Sequence, residues 1–185
     1  MKWIIPVVLL VMVLPAMAMD PVQTGEKLLG VSLETPESRE TQAYLGLSAK
    51  PAFTMDDIDA DVVIVEIFSM YCPHCQREAP MINQFHDLLL TRKTSKPSIK
   101  LMGIGAGNSS FEVDYFRKTY KVAFPLFADG DFVVHKALGE VRTPYFIALS
   151  REPDRSWKVV LSRPGGIESP EAFLSTILEL ARGGK

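Results

Sequence analysis

The chain has 185 residues, of which 47% are hydrophobic and 23% charged, so its composition is that of an ordinary globular protein. Its 20 basic and 22 acidic side chains give a formal net charge of -2, which excludes a global electrostatic attraction to nucleic acid or anionic lipid. Its two cysteines, Cys72 and Cys75, are too few for a small scaffold held by several disulfides. We therefore expect one folded domain and no nucleic-acid partner.

The N-terminus has the pattern of a secretory signal. Lys2 supplies a positive start, residues 3–13 are an apolar run, and Ala16-Met17-Ala18 places small residues where a signal peptidase cleaves. We expect residues 1–18 to be removed and the protein to be periplasmic. The alternative is an uncleaved N-terminal membrane anchor, for which the uncharged stretch 3–19 is barely long enough.

The first element with a clear pattern follows a mixed segment. Residues 20–59 show no sustained periodicity, although 37–47 could form a short helix. Residues 62–68 are an almost wholly β-branched run, which predicts a strand covered on both faces. Residues 73–90 carry apolar side chains at helical spacing and predict a helix directly after Cys72.

The rest of the chain alternates predicted strands with predicted helices. The predicted strands are residues 99–104, 145–149 and 157–161. The predicted helices run through residues 110–120, with Ser109 or Ser110 as the cap, 132–138 and 170–181. Residues 124–127 are interpreted as a loop. Strands and helices that alternate and close with a β-hairpin and a helix predict a three-layer α/β fold.

The two cysteines flank Pro73 and His74 where the predicted strand turns into the helix. Cys72 is then the N-cap, because Pro73 is well suited to the first helical position. Its sulfur can accept hydrogen bonds from the amides of His74 and Cys75 and lies at the positive end of the helix dipole, so we expect a low pKa. The His74 imidazole should lower it further when protonated. We expect Cys75 to be more buried and to act as the resolving thiol.

This spacing indicates redox chemistry rather than a structural disulfide. A Cys-x-x-Cys loop is too short to stabilise a domain of this size by much, since loop entropy grows with loop length. Stabilising the Cys72 thiolate favours the reduced pair and makes the disulfide more oxidising. The Pro-His dipeptide alone therefore favours an oxidant or an isomerase.

Three segments resemble the thioredoxin superfamily, most closely the exported TlpA/ResA-like thiol:disulfide oxidoreductases. Residues 68–80, FSMYCPHCQREAP, resemble the active-site segment, and residues 141–144, VRTP, resemble the segment with the cis-proline. Residues 105–125 resemble the strand and helix inserted in TlpA-like proteins. The resemblance implies a thioredoxin fold over residues 45–185, three-layer α/β/α with a central mixed sheet, preceded by an N-terminal extension over 19–44. The Pro-His dipeptide resembles DsbA, an oxidant, and leaves the redox direction open.

The resemblance also implies roles for two acidic residues. Glu66 lies within the apolar strand, where the family has a buried acid that accepts a proton from the resolving cysteine. The alternative is that Glu66 pairs with a lysine such as Lys100. Glu78 resembles a carboxylate found near the cysteines of ResA-like proteins, and the alternative is an ordinary solvated helix residue.

The segment Thr143-Pro144 is implied to face the cysteines. A cis bond there would leave the Thr143 backbone free to pair with an extended substrate peptide. The resemblance therefore implies a protein-disulfide oxidoreductase that uses Cys72 and Cys75 as its catalytic pair and requires no metal or organic cofactor. Its partners would be exported cysteine-containing proteins and a membrane or soluble redox partner, and we expect a monomer.

The two cysteines allow three other interpretations. A structural zinc site needs four ligands, and His86 and His135 would have to converge on the pair. A Cu(I)-binding metallochaperone that uses the pair with His135 or a methionine is the main alternative function. The Ser-x-x-Cys pattern that ends at Cys72 also occurs in the peroxidatic sites of peroxiredoxins. Position 65 is Val where peroxiredoxins have Pro, which argues against a peroxidatic role for Cys72.

Overall fold

The computed structural model describes residues 20–27 and 30–183. The signal peptide or anchor predicted over residues 1–18 lies outside the described residues. Among the helices of the described part, none has the length and apolar character needed to cross a membrane.

The described residues form strands and helices in alternating order. The strands are β1 (Ser32–Glu34), β2 (Ala52–Thr54), β3 (Val62–Phe68), β4 (Ile99–Ala106), β5 (Leu126–Asp129), β6 (Tyr145–Arg151) and β7 (Trp157–Pro164). The α-helices are α1 (Arg39–Leu45), α2 (Pro73–Thr91), α3 (Ser110–Tyr120), α4 (Val133–Ala137) and α5 (Pro170–Gly183). A single 3-10 turn, Met55–Asp57, precedes β3.

Five strands form one mixed sheet in the order β5-β4-β3-β6-β7. The central strand β3 runs parallel to β4 and antiparallel to β6, while β4 and β5 are parallel and β6 and β7 antiparallel. Glu66 lies in the middle of β3, opposite Gly103 on one side and Phe146 on the other. The mixed sheet with helices on both faces confirms the predicted thioredoxin-like α/β fold.

Two hydrophobic cores lie on opposite faces of this sheet. Alternate side chains of β3 enter different cores, because successive residues of a strand point to opposite faces. Val63, Val65 and Ile67 pack in the core that contains α1, α4 and the two-stranded β1-β2 sheet. Ile64 and Phe68 pack in the core that contains α2, α3 and α5. The same alternation places Glu66 on the α2 face, beneath the cysteine motif.

Two features differ from the sequence-based expectations. The sequence pattern of residues 124–127 indicates a loop, but β5 begins at Leu126 and pairs with β4. The Gly103 N–H donates to the Pro125 carbonyl over 2.8 Å at the start of this pairing, so long-range contacts define the strand. Strands β1 and β2 were not predicted, since three-residue strands are too short to show a period.

The end of α1 offers a test of the packing around β3. Gly46 has a φ of +72°, and a Cβ there would lie 2.5 Å from the Cβ of Asp59. We expect Gly46→Ala to lower the free energy of unfolding by about 2 kcal/mol or more, through both the left-handed backbone and the clash. Urea denaturation measures this loss.

Gly25→Ala is the matched control for Gly46→Ala. Gly25 also has a positive φ, +98°, but a Cβ there would meet nothing within 4 Å. Gly25→Ala should therefore lower the free energy of unfolding only by the cost of placing an alanine in a left-handed backbone conformation. Equal losses in the two variants would contradict the steric part of this account.

Candidate active site

The cysteine motif lies where β3 leads into α2. Cys72 is the N-cap of α2 in an extended conformation, and Pro73 is the first helical residue, as the sequence predicts. The Cys75 backbone N–H donates to the Cys72 sulfur over 3.5 Å. Both cysteines are free thiols, but Cys72 is half-buried whereas Cys75 is completely buried. The Cys72 sulfur is therefore accessible to a partner protein, whereas the Cys75 sulfur is not.

The two thiols have opposite pKa shifts. Partial burial raises the pKa of Cys72, but its contacts with Thr143 and with the backbone of Cys75 and His74 lower it by more. The net pKa lies below that of an ordinary thiol. Burial raises the pKa of Cys75, and the neighbouring Cys72 raises it further. Cys72 is thus the thiol that ionises first and the better nucleophile of the pair at neutral pH.

A buried asparagine, which the sequence did not indicate, supports the loop before Cys72. The Asn108 Oδ1 accepts from the Met70 backbone N–H over 2.8 Å, and its Nδ2 lies 3.5 Å from the Ser69 hydroxyl. The Ser69 carbonyl in turn accepts from the Cys72 N–H over 3.0 Å. Asn108 is fully buried and follows β4, so the sheet itself holds the loop in place. No local motif marks such a long-range contact.

The loop before β6 lies opposite the cysteines. The Cys72 thiol donates to the Thr143 backbone carbonyl over 3.3 Å. The Thr143-Pro144 peptide bond is cis, and Pro144 is buried. The Pro144 carbonyl accepts from the Gly165 N–H over 2.9 Å, which ties this loop to the end of β7. The structure thus brings Thr143 and Pro144 next to the sulfur of Cys72.

Glu66 lies on the same face of β3 as α2 and is only 2% exposed. Burial raises its pKa to about 8, with further contributions from the negative charges of Glu78 and Cys72. Lys100, the alternative partner, instead places its Nζ 4.5 Å from the centre of the Tyr44 ring. A carboxyl group with a pKa near neutrality can gain or lose a proton during a reaction at the cysteines.

Glu78 lies on α2, one turn after Cys75, and is half-buried. Its Oε1 accepts from the Ile167 N–H over 2.7 Å. A Cβ on Gly166 would lie 2.3 Å from the Glu78 carboxylate, so only a glycine allows this close approach. Glu78 is therefore held between α2 and the loop after β7.

His74 is exposed between the cysteines, and its imidazole has a partner. The Arg77 Nη2 lies 2.9 Å from the Nδ1 of His74. A guanidinium can only donate a hydrogen bond, so Nδ1 is the acceptor in this contact.

His86 and His135, the two histidines considered possible metal ligands on sequence grounds, have other partners in the structure. The Nε2 of His135 lies 2.8 Å from the Val141 carbonyl. His86 is buried between the rings of Tyr44 and Phe124, with centroid distances of 5.7 and 5.8 Å. Within residues 20–27 and 30–183, no group of three or more His, Cys, Asp or Glu side chains is arranged to hold a metal ion.

The raised pKa of Glu66 predicts a pH-dependent stability. The folded protein retains the Glu66 proton up to about pH 8, whereas the unfolded chain loses it near pH 4.5. The stability contributed by protonated Glu66 is therefore fully present below pH 4.5 and is lost as the pH rises to about 8. Over this range the loss is at most about 1.4 kcal/mol per pH unit. Glu66→Gln should remove this dependence, and urea unfolding of the reduced protein at several pH values measures it.

The exposed Glu179→Gln is the matched control and should keep the wild-type pH profile. A Glu66→Gln profile with the wild-type slope between pH 5 and 8 would contradict the assignment of that slope to Glu66.

Known proteins share this fold. The AhpC/TSA family matches residues 45–162, whereas comparison with curated proteins gave no match. The thioredoxin domain of a thiol-disulfide oxidoreductase from Bacteroides vulgatus has 13% identity and a TM-score of 0.61 and covers 84% of this chain and 99% of its own. A secreted Mycobacterium tuberculosis disulfide oxidoreductase homologous to Escherichia coli DsbE has 17% identity and a TM-score of 0.52. That match covers 70% of this chain and 89% of the other. StoA from Bacillus subtilis has 21% identity and a TM-score of 0.51, and the match covers 63% of this chain and 82% of StoA. These structures confirm the thioredoxin-like fold, and the chain belongs to the AhpC/TSA family.

Proposed function

We propose that the protein is an exported thiol-disulfide oxidoreductase that exchanges disulfides with cysteine-containing proteins. The observation that carries this proposal is the asymmetry of the pair: Cys72 is accessible with a lowered pKa, and Cys75 is buried with a raised pKa. A nucleophile above a protected resolving thiol is the arrangement that exchange through a mixed disulfide requires.

In the reducing direction, the Cys72 thiolate attacks one sulfur of a substrate disulfide. A bond forms between Cys72 and that sulfur, and the second substrate sulfur leaves as a thiolate that takes up a proton. Cys75 then loses its proton and attacks the Cys72 sulfur, which releases the substrate as a dithiol. The Cys72-Cys75 pair has then given two electrons to the substrate, and the oxidising direction is the reverse of these steps.

Glu66 is proposed to accept the proton that Cys75 must lose. The raised pKa of Cys75 leaves it protonated at neutral pH, so its attack needs a base. Glu66 has a pKa of about 8 and lies on the α2 face of β3, and its charge is felt at Cys75. A carboxylate that ionises in the physiological range can serve as this base and return the proton in the opposite direction.

Thr143 and Pro144 are proposed to bind the substrate backbone beside the sulfur. The Thr143 carbonyl lies 3.3 Å from the Cys72 sulfur, so a peptide paired with this loop would bring its own cysteine to Cys72. The signal-like N-terminus supports a periplasmic location, and a similar protein of Mycobacterium tuberculosis is secreted. The redox-active pair needs no additional cofactor, and a separate redox partner would restore it after each turnover.

The reduction potential of the pair decides the direction of electron flow. A value near about -120 mV, as in a strong oxidant, would assign the protein to disulfide formation. A value near about -270 mV, as in thioredoxin, would make it a reductase. The Pro-His dipeptide and the lowered pKa of Cys72 support the oxidising direction.

The mechanism predicts opposite outcomes for the two cysteine variants. Cys75→Ala should accumulate a covalent adduct between Cys72 and a substrate protein, because no thiol remains to resolve the mixed disulfide. Cys72→Ala should form no such adduct and should lose insulin reduction and dithiol oxidation. Non-reducing electrophoresis and mass spectrometry detect the adduct, and a reductant should release it. Exchange activity that survives in Cys72→Ala would overturn the proposed function.

A further inference from the structure

A pocket of about 270 Å³ opens beside the cysteine motif, between the start of α2, the loop before β6 and the loop after β7. Its lining contains two arginines, a histidine and a glutamate among neutral residues. These four residues are Arg77, Arg142, His74 and Glu78, and Thr143 and Pro144 also line the pocket.

The two arginines of this pocket have no carboxylate partner. Arg77 and Arg142 are both exposed, and neither takes part in an ion pair among the described residues. The contact that Arg77 makes is to the neutral acceptor nitrogen of His74. A third guanidinium, that of Arg163, lies behind the lining and donates to the Gly166 carbonyl over 2.6 Å. Positive charge at this surface is therefore available to a ligand.

Glu78 is the one carboxylate in the lining, and it is already engaged. Its Oε1 accepts the Ile167 N–H, and its carboxylate packs against Gly166. The two arginines outnumber this single acid, so the pocket carries a net positive charge. An anionic group is the ligand that its charge complements.

The position of the pocket determines which part of a substrate reaches it. Arg142 immediately precedes Thr143, whose carbonyl contacts the Cys72 sulfur. An extended peptide advances about 3.3 Å per residue, so a side chain one or two residues from the substrate cysteine falls beside this pocket.

The opposite side of Cys72 has a different character. Tyr71 is exposed there, and its hydroxyl is hydrogen-bonded to the Glu112 carboxylate. An acidic side chain would be repelled on that side and attracted on the side of Arg77 and Arg142. The charge around the sulfur is thus arranged to favour one orientation of a charged substrate.

We propose that this pocket binds an acidic side chain of the substrate protein, one or two residues from its reactive cysteine. The inference rests on the proposed function and adds a substrate class to it. The pocket would select exported proteins whose cysteine is flanked by Asp or Glu.

Three synthetic peptides test this inference. Each carries one cysteine as a mixed disulfide with 5-thio-2-nitrobenzoate, and they differ only in an Asp, Asn or Lys next to that cysteine. The rate at which the reduced protein releases 5-thio-2-nitrobenzoate from each peptide is measured. It is divided by the rate at which dithiothreitol releases it from the same peptide, which corrects for the intrinsic reactivity of that peptide. We expect the Asp peptide to react roughly threefold to fivefold faster than the Asn peptide, and the Lys peptide to be slowest. The preference should shrink as salt is added.

The double variant Arg77→Gln/Arg142→Gln should lose the preference for the Asp peptide. The matched control is Arg39→Gln/Arg182→Gln, which removes the same charge at exposed positions on α1 and α5 and should keep the preference. Equal corrected rates for the three wild-type peptides, or a preference that survives in Arg77→Gln/Arg142→Gln, would overturn the inference and leave the proposed function intact. Failure of the wild-type protein to react with any of the peptides would overturn the proposed function itself.

Discussion

The junction of β3 with α2 is the constraint on which the rest of the site depends. A strand buried on both faces ends at Phe68, and a helix that starts with Pro73 begins five residues later, so the sulfur of Cys72 lies at the helix N-terminus. Amide donors and the helix dipole act on this sulfur because of its position. Asn108, two residues after the end of the neighbouring strand β4, fixes the intervening loop, so the position of Cys72 depends on long-range contacts as well as on the motif.

Burial then separates the chemistry of groups that are close together. Cys72 is partly open and ionises readily, whereas Cys75, on the buried side of α2, and Glu66, on β3 beneath it, hold their protons more tightly. Keeping a carboxyl group inside a hydrophobic core costs stability as soon as it ionises. A fold selected for stability alone would place an apolar residue at position 66. The retained acid is consistent with a need to move a proton below the reactive sulfur.

The sequence allowed much of this arrangement to be predicted, where the relevant information is local. The β-branched run of β3, the cap at Cys72 and the helical spacing of α2 each depend on neighbouring residues, and each lies where it was expected. Strand β5 and the support from Asn108 depend on pairing with β4, so no local pattern marks them. The contact of Glu78 with Ile167 likewise joins residues far apart in the chain, and only the folded structure shows that Glu78 is not simply solvated.

The asymmetry of the two thiols is the central claim, and the pH dependence of alkylation tests it most directly. The reduced protein would be treated with iodoacetamide between pH 4 and 10, and each cysteine would be followed by mass spectrometry. We predict that Cys72 reacts first, with a midpoint below that of an ordinary thiol, and that Cys75 stays unmodified while the protein is folded. Equal rates for the two cysteines with one ordinary midpoint would contradict the account.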